Sequence, residues 1–284
     1  KEVIINIIPS NVFKAFTEAN MLQVIFFAVI FGISLNLVKE KNSKLKEATS
    51  LLNDLFLKMI EVIMYFAPFG VFFLIFKTFL TQGFSTISEL GEYFFTVLIV
   101  LIIHLFFTYG TILFLFTRVN IIKFFLKMRN PMLFAFSTAS SAATIPINLK
   151  TVEESLGVKK SVSSFTVPLG ATINMDGTAI MQGVATVFLA NTYGIDLNIS
   201  DYISVIIVAT LASIGTAGVP GVGLIMLAMV LNQVGLPAEG IALIIGIDRI
   251  LDMTRTAVNI TGDAAVSCIV AKSEKKLDVV KLNS

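Results

Sequence analysis

The chain has 284 residues, 56% of them hydrophobic and 14% charged, with a mean hydropathy of +0.88; soluble domains carry about 45–50% apolar and about 25% charged residues. That composition excludes a soluble globular protein and predicts an integral membrane protein, and a formal charge of only +2 gives no basis for a nucleic-acid partner. A single cysteine, Cys268, excludes an intramolecular disulfide and a cysteine-based metal site.

Residues 21–38 form an uncharged apolar run about the length of a membrane span, preceded by an amphipathic segment containing Pro9. A second span is predicted over residues 51–76, kinked at Pro68-Phe69-Gly70, and a third, free of formal charge, over residues 93–117. The lone histidine, His104, sits in that third apolar run, where a hydrogen-bonded structural role outweighs a proton relay. Residues 132–149 are apolar at both ends but hold STASSAATIP at the centre, which interrupts a helix and predicts a re-entrant hairpin. Residues 161–191 carry GATINMDGT, placing Asn174 and Asp176 at membrane depth beside glycines that can unwind the backbone. Residues 202–238 run 37 positions without a charge. A single span needs about 20, so two half-helices meeting at SIGTAGVPGVG are expected.

The last span holds GIDRILDMTRTAVNITGD. At about 100° per residue, Asp248, Asp252, Arg255, Asn259 and Asp263 share roughly 80° of arc along about 22 Å of helix axis. An unpaired charge at bilayer depth costs at least ~2.5–3.5 kcal/mol, so this stripe needs compensation. An Asp252–Arg255 pair at i, i+3 supplies part of it, but does not account for Asn259 and Asp263 on the same face. Loop charge supports the layout: 15 of the 21 Lys and Arg fall in residues 39–47, 118–130, 150–160 and 271–284, and none in 78–92, 191–201 or 232–239. The positive-inside rule then holds if both interrupted segments are hairpins entering from opposite sides. The same layout puts the N-terminus outside, and with Lys1 as first residue it predicts spans upstream of this segment. Hairpin and broken helix occurring twice in opposite orientation is the pattern of inverted-repeat secondary transporters.

The runs SSAATIP, NMDGT, GTAGVPG and DMTRTAVNITGD, in this order and spacing, resemble the dicarboxylate/amino acid:cation symporters, which include bacterial proton/sodium-glutamate symporters and mammalian excitatory amino acid transporters. The resemblance covers the chain from the fourth family helix onward, without the N-terminal helices. It implies an all-α polytopic membrane protein, an inverted-repeat secondary transporter with two re-entrant helical hairpins. Residues 1–90 would be part of the trimerisation scaffold and 91–284 the transport domain. The latter would contain hairpin 1 at 120–150, a broken helix at 159–193, hairpin 2 at 199–236, a substrate helix at 237–271 and a cytoplasmic tail at 272–284.

The resemblance further implies no enzyme and no bound cofactor, but symport of L-glutamate or L-aspartate coupled to Na+, H+ or both, by a homotrimer in the lipid of the cell's inner membrane. Arg255 would hold the substrate side-chain carboxylate, Asp252 the α-amino group, and Asn259 and Thr256 the α-carboxylate. Thr178 would face the side-chain carboxylate, and Ser140 and Ser141 on the inner side, with Val219 and Gly223 through backbone groups on the outer, would complete that pocket. One sodium would meet backbone oxygens of Gly170, Asn174 and Asn259 with the Asp263 carboxylate. A second would meet backbone oxygens of Thr172, Ser213, Ile214 and Thr216, and a third the side chains of Asn174 and Asp176. The other ligands of that third site belong to a family helix outside this sequence, which predicts an incompletely satisfied Asp176. Arg249 is expected as a gating or positioning charge near the pocket, or as a partner of Asp248. Alternatives are a symporter of C4-dicarboxylates or neutral amino acids, and, remotely, an intramembrane aspartyl protease pairing Asp176 with Asp248 or Asp252.

Overall fold

A backbone surrounded by hydrocarbon has to satisfy its own N–H and C=O groups, and this chain does so with helices. The structure is a computed structural model that describes residues 8–17, 21–38, 43–64, 66, 69, 72, 73, 76, 80 and 85–283 other than 215, 217 and 219. Among the described residues there is no strand, only an isolated antiparallel bridge between Val158 and Leu277. Over the described residues the protein is all-α, as the family resemblance implies. It divides into two units, residues 1–81 and 82–284.

In the first unit, α1 (Val12–Thr17) starts at Asn11, whose side chain accepts from the Lys14 N–H at 3.1 Å. The uncharged α2 (Met21–Leu37) coincides with the first expected span, and α3 (Ser43–Met64) covers the start of the second. The kink expected at Pro68 and Gly70 lies outside the described residues.

The second unit opens with α4 (Ser85–Ile103), which passes through a π-helical turn at His104–Tyr109 into α5 (Gly110–Thr117). From Ser88 to Thr117 this helix is 30 residues long and apolar enough to cross a membrane. It ends at Arg118, held at a left-handed φ of 59°. α6 (Ile121–Thr138) and α7 (Ser141–Glu154) follow, separated by Ala139 at φ 50° and by Ser140, whose hydroxyl caps α7 by accepting from the Ala143 N–H at 3.2 Å. Ala139 in the left-handed region thus ends one helix and the Ser140 hydroxyl begins the next. α8 (Lys160–Ile173) and α9 (Asp176–Thr192) are separated at Asn174 and Met175, whose backbone angles leave the helical region. Asn198 and Asp201 form a reciprocal cap at the start of α10 (Ile199–Ile214): Asn198 Oδ1 accepts from Ser200 N at 2.8 Å, and Asp201 Oδ2 accepts from Asn198 N at 2.9 Å. Glycine at φ 82°, Gly221, turns the chain into α11 (Val222–Gln233).

The 33-residue α12 (Ile241–Ser273) is the centre of this unit and packs against α4, α5, α6, α7, α8, α9 and α11. Its buried Ala257, Gly262, Ala264, Ala265 and Ala271 allow that many neighbours to approach, since small side chains let helix backbones come close. One apolar cluster joins α12 to α6, α7 and α8 through Phe124, Met128, Val152, Leu156, Val167 and Ile260.

Past α12 the chain folds back as α13 (Val279–Asn283). Lys159 N donates to Lys276 O at 3.1 Å, Asp278 N donates to Gly157 O at 2.9 Å, and Lys127 Nζ donates to Lys281 O at 2.6 Å. Gly157 sits at φ 76°, and a Cβ there would stand 2.8 Å from the Asp278 carbonyl oxygen. Gly157→Ala therefore has to bear left-handed strain of about 1–2 kcal/mol together with that overlap. Thermal unfolding in detergent is expected to show it as a lower midpoint, with α13 released first in hydrogen exchange.

Candidate functional site

Asp248, Arg255, Thr256, Asn259 and Asp263 of α12 are buried where nonpolar helices surround them, so their polar groups need partners within the protein. Arg255, with a side chain 1% exposed, donates from both terminal nitrogens to Asp248, Nη1 to Oδ1 at 2.6 Å and Nη2 to Oδ2 at 3.2 Å. Nη2 also donates to Asp252 Oδ1 at 3.0 Å. One guanidinium is thus held by two carboxylates of its own helix, one turn and two turns before it. Asp252 has a second duty: its Oδ2 accepts from the Gly221 N–H at 3.0 Å, tying α12 to the turn between α10 and α11. Thr256 donates back to the Asp252 carbonyl at 2.8 Å.

Arg255, Thr178 and Gly223 come together from α12, α9 and α11. A Cβ at Gly223 would lie 3.2 Å from Thr178 Cγ2 and 3.5 Å from Arg255 Nη2, so the three residues approach closely. Gln182, which the sequence reading passed over, donates to the Gly223 carbonyl at 3.3 Å. The two turns also meet. Ser140 Oγ donates to Gly218 O at 2.8 Å, the Ala142 N–H reaches the same oxygen at 3.3 Å, and the buried Ser141 packs on Gly218. Ser140 and Ser141 are thus engaged with the second turn. Val219 lies outside the described residues.

The break between α8 and α9 is stitched to α12 through side-chain amides. Asn174 Nδ2 donates to Asn259 O at 3.0 Å and to Asp263 Oδ1 at 2.9 Å. Asn259 Oδ1 accepts from the Gly177 N–H at 2.8 Å, while Asn259 Nδ2 faces Met175 Sδ at 3.4 Å. Gly170 accepts from the Asn174 N–H at 2.8 Å through its carbonyl, and a Cβ at Gly170 would come within 2.5–3.0 Å of the Asp263 carboxylate end. Asp263 Oδ2 is buried with no hydrogen-bond donor among the described residues. A buried carboxylate oxygen beside backbone carbonyls is a donor set suited to a hard cation. Of the other expected group, Ser213 and Ile214 close α10, where Ser213 O accepts from Thr216 N at 3.1 Å, and Thr172 lies on the last turn of α8, a helix that touches α10.

Asp176 finds two partners within the chain that the sequence did not indicate: its Oδ2 accepts from Tyr109 Oη at 2.8 Å and meets His104 Nε2 at 3.1 Å. Two expectations change. Arg249 is exposed, and Asp248, offered as its partner, is taken by Arg255. The aspartic dyad falls away, since Asp248 and Asp252 share Arg255 while Asp176 is held by the π turn after α4. Asp248 as an Arg255 partner was missed, although its position seven residues before Arg255 puts both on nearly one line of the helix. Tyr109 was missed for a different reason: five residues from His104, it falls on another face in any α-helical reading.

The Arg255 cluster makes a comparative prediction. Removing one partner of a buried ion pair costs about 3–5 kcal/mol, because the remaining charge stays in a nonpolar place. Asp248 gives both oxygens to Arg255 with a side chain 4% exposed, against one oxygen and 13% for Asp252. Asp248→Asn is expected to lower the unfolding midpoint in detergent clearly more than Asp252→Asn.

A family model described as the sodium:dicarboxylate symporter family matches residues 1–273. A proton/sodium-glutamate symport protein of Geobacillus stearothermophilus is 37% identical over 273 residues, which cover 96% of this chain and 64% of that protein. Excitatory amino acid transporter 3 of Mus musculus is 40% identical over 267 residues, 93% of this chain and 51% of the transporter. A proton/sodium-glutamate symport protein of Bacillus subtilis (strain 168) is 35% identical over 280 residues, 99% of this chain and 65% of its own length. The chain therefore spans between 51% and 65% of the length of these curated relatives. With a match over nearly all of its residues, this membrane-integral chain belongs to the sodium:dicarboxylate symporter family.

Proposed function

We propose that the chain carries the substrate and cation sites of a symporter of acidic amino acids, L-glutamate or L-aspartate, driven by sodium, protons or both. The observation that carries this reading is the buried Arg255, forked onto Asp248 and Asp252 beside two helix-to-helix turns. A planar guanidinium binds a carboxylate through two parallel N–H groups. An incoming side-chain carboxylate can take over part of the fork that Asp248 and Asp252 now share. The substrate ammonium would then replace the Gly221 N–H and Arg255 at Asp252, and Asn259 and Thr256 would meet the α-carboxylate. Ser140, Ser141, Thr178 and Gly223, together with Val219 as the family resemblance implies, would line that pocket.

In this reading the helix pairs α6–α7 and α10–α11 are re-entrant hairpins of an inverted repeat, and they move with α8, α9 and α12 as one transport unit within a homotrimer. The C-terminus is cytoplasmic, in the cell's inner membrane. Coupling follows if cations neutralise the site carboxylates and order the turns, so that only the loaded unit crosses. One sodium is assigned to Gly170, Asn174, Asn259 and Asp263, a reading supported by the unpartnered Asp263 Oδ2. Another is assigned to Thr172, Ser213, Ile214 and Thr216, and a third to Asn174 and Asp176. The names of the relatives, proton/sodium-glutamate symport protein and excitatory amino acid transporter, favour the same substrates.

Calorimetric titration of the purified protein with L-glutamate and L-aspartate, sodium replaced stepwise by choline at constant ionic strength, tests this. Affinity is expected to fall as sodium is withdrawn; if it follows pH alone, protons are the coupling ion, and indifference to both sinks the proposal. Arg255→Lys loses charge-assisted bonds worth roughly 1.5–3 kcal/mol, about 10- to 100-fold in Kd. Asp252→Asn is expected to weaken both amino acids while sparing succinate, a dicarboxylate without the amine; an equal loss for all three would favour the C4-dicarboxylate alternative.

A further inference from the structure

The π-helical turn at His104–Tyr109 lies within an otherwise α-helical segment. Two residues five positions apart on an α-helix diverge by about 140°. The wider turn brings them back to one side, which is the usual local effect of a π turn and one often found at functional positions. Here the His104 and Tyr109 rings lie 4.6 Å apart, edge to face, and both reach the same atom, Asp176 Oδ2. An ionised carboxylate only accepts, so His104 Nε2 and Tyr109 Oη both donate. Tyr109 is itself confined: a Cβ at Gly262 would overlap its hydroxyl and the Asn174 amide nitrogen. Asn174 spends that nitrogen on Asn259 O and Asp263 Oδ1, so its amide oxygen is the end able to coordinate. The Asp176 side chain keeps 38% of its surface exposed, on the part that His104 and Tyr109 do not cover.

We propose that His104 and Tyr109 are positioning residues for a monovalent cation held by Asn174 and Asp176. Two donors from the π turn hold Oδ2 and restrain the carboxylate from rotating, which leaves Oδ1 as the oxygen that would meet an ion. The inference deepens the cation-coupled reading above and rests on it. Outer-shell groups of this kind orient a ligand without touching the metal, and losing one typically weakens binding about 10- to 100-fold.

The test reads ion binding without transport. The purified protein is melted in detergent over a sodium chloride series balanced with choline chloride, with no amino acid present, and the half-saturating sodium concentration is taken from the rise in midpoint. Tyr109→Phe keeps the ring and removes only the hydroxyl, and His104→Leu removes the other donor. Each is expected to raise the half-saturating concentration about tenfold, with His104→Gln, which retains an N–H donor, within about threefold of the unsubstituted protein. Midpoints in choline alone should stay close to one another. Variants that melt earlier in choline yet keep the unsubstituted sodium dependence would show a packing tie between α4 and α9 and overturn the proposal. If the unsubstituted protein itself fails to respond to sodium, sodium coupling falls first and this inference with it, an outcome distinct from the previous one.

Discussion

A guanidinium cannot be deprotonated to escape a nonpolar setting, so wherever Arg255 is buried its charge must be met by other charges. The unit is arranged around that requirement. α12 supplies both carboxylates, at positions that one helical face brings into line, and neither depends on a distant element to reach Arg255. Asp252 then passes the constraint outward by accepting from Gly221, so the turn before α11 is positioned by the same charge balance that holds the arginine.

Broken helices pose the complementary problem, because each break releases backbone groups that water cannot satisfy at membrane depth. The solution here is to bring the breaks to one place and let a few amides and hydroxyls serve them. Asn259 accepts from Gly177 at the start of α9 while its own carbonyl accepts from Asn174 in the break. Ser140 caps α7 and also donates to Gly218 of the neighbouring turn. Glycines stand where the elements touch most closely, at Gly170 against Asp263 and Gly262 against Tyr109 and Asn174. Such shared hydrogen bonding makes the polar centre a single network: disturbing one amide changes the partners available to several backbone groups.

Much of this was readable in the chain. Hydropathy identifies the membrane class, and hydroxyl residues, glycine and proline mark the interruptions near Ser140, Asn174 and Gly221, because those residue types cap or unwind helices for local reasons. The helical period alone places Asp248, Asp252, Arg255, Asn259 and Asp263 on one face, since α12 is continuous over that stretch. Family membership was legible for the same reason, its motifs being these local interruptions and this stripe.

What the tertiary structure decided is who pairs with whom. Asp248 rather than Arg249 belongs to the arginine cluster, because burial selects the residue on the inward line and leaves its neighbour exposed. His104 and Tyr109 converge on Asp176 only because the backbone departs from the α-helical period between them, and a periodic reading of the sequence places them on different faces. Residue type and period are local properties, so the sequence by itself determined the membrane class, the breaks and the polar stripe. Partner choice depends on the approach of segments about 70 to 90 residues apart, such as Tyr109 to Asp176 and Asn174 to Asp263, and only packing in three dimensions settles it.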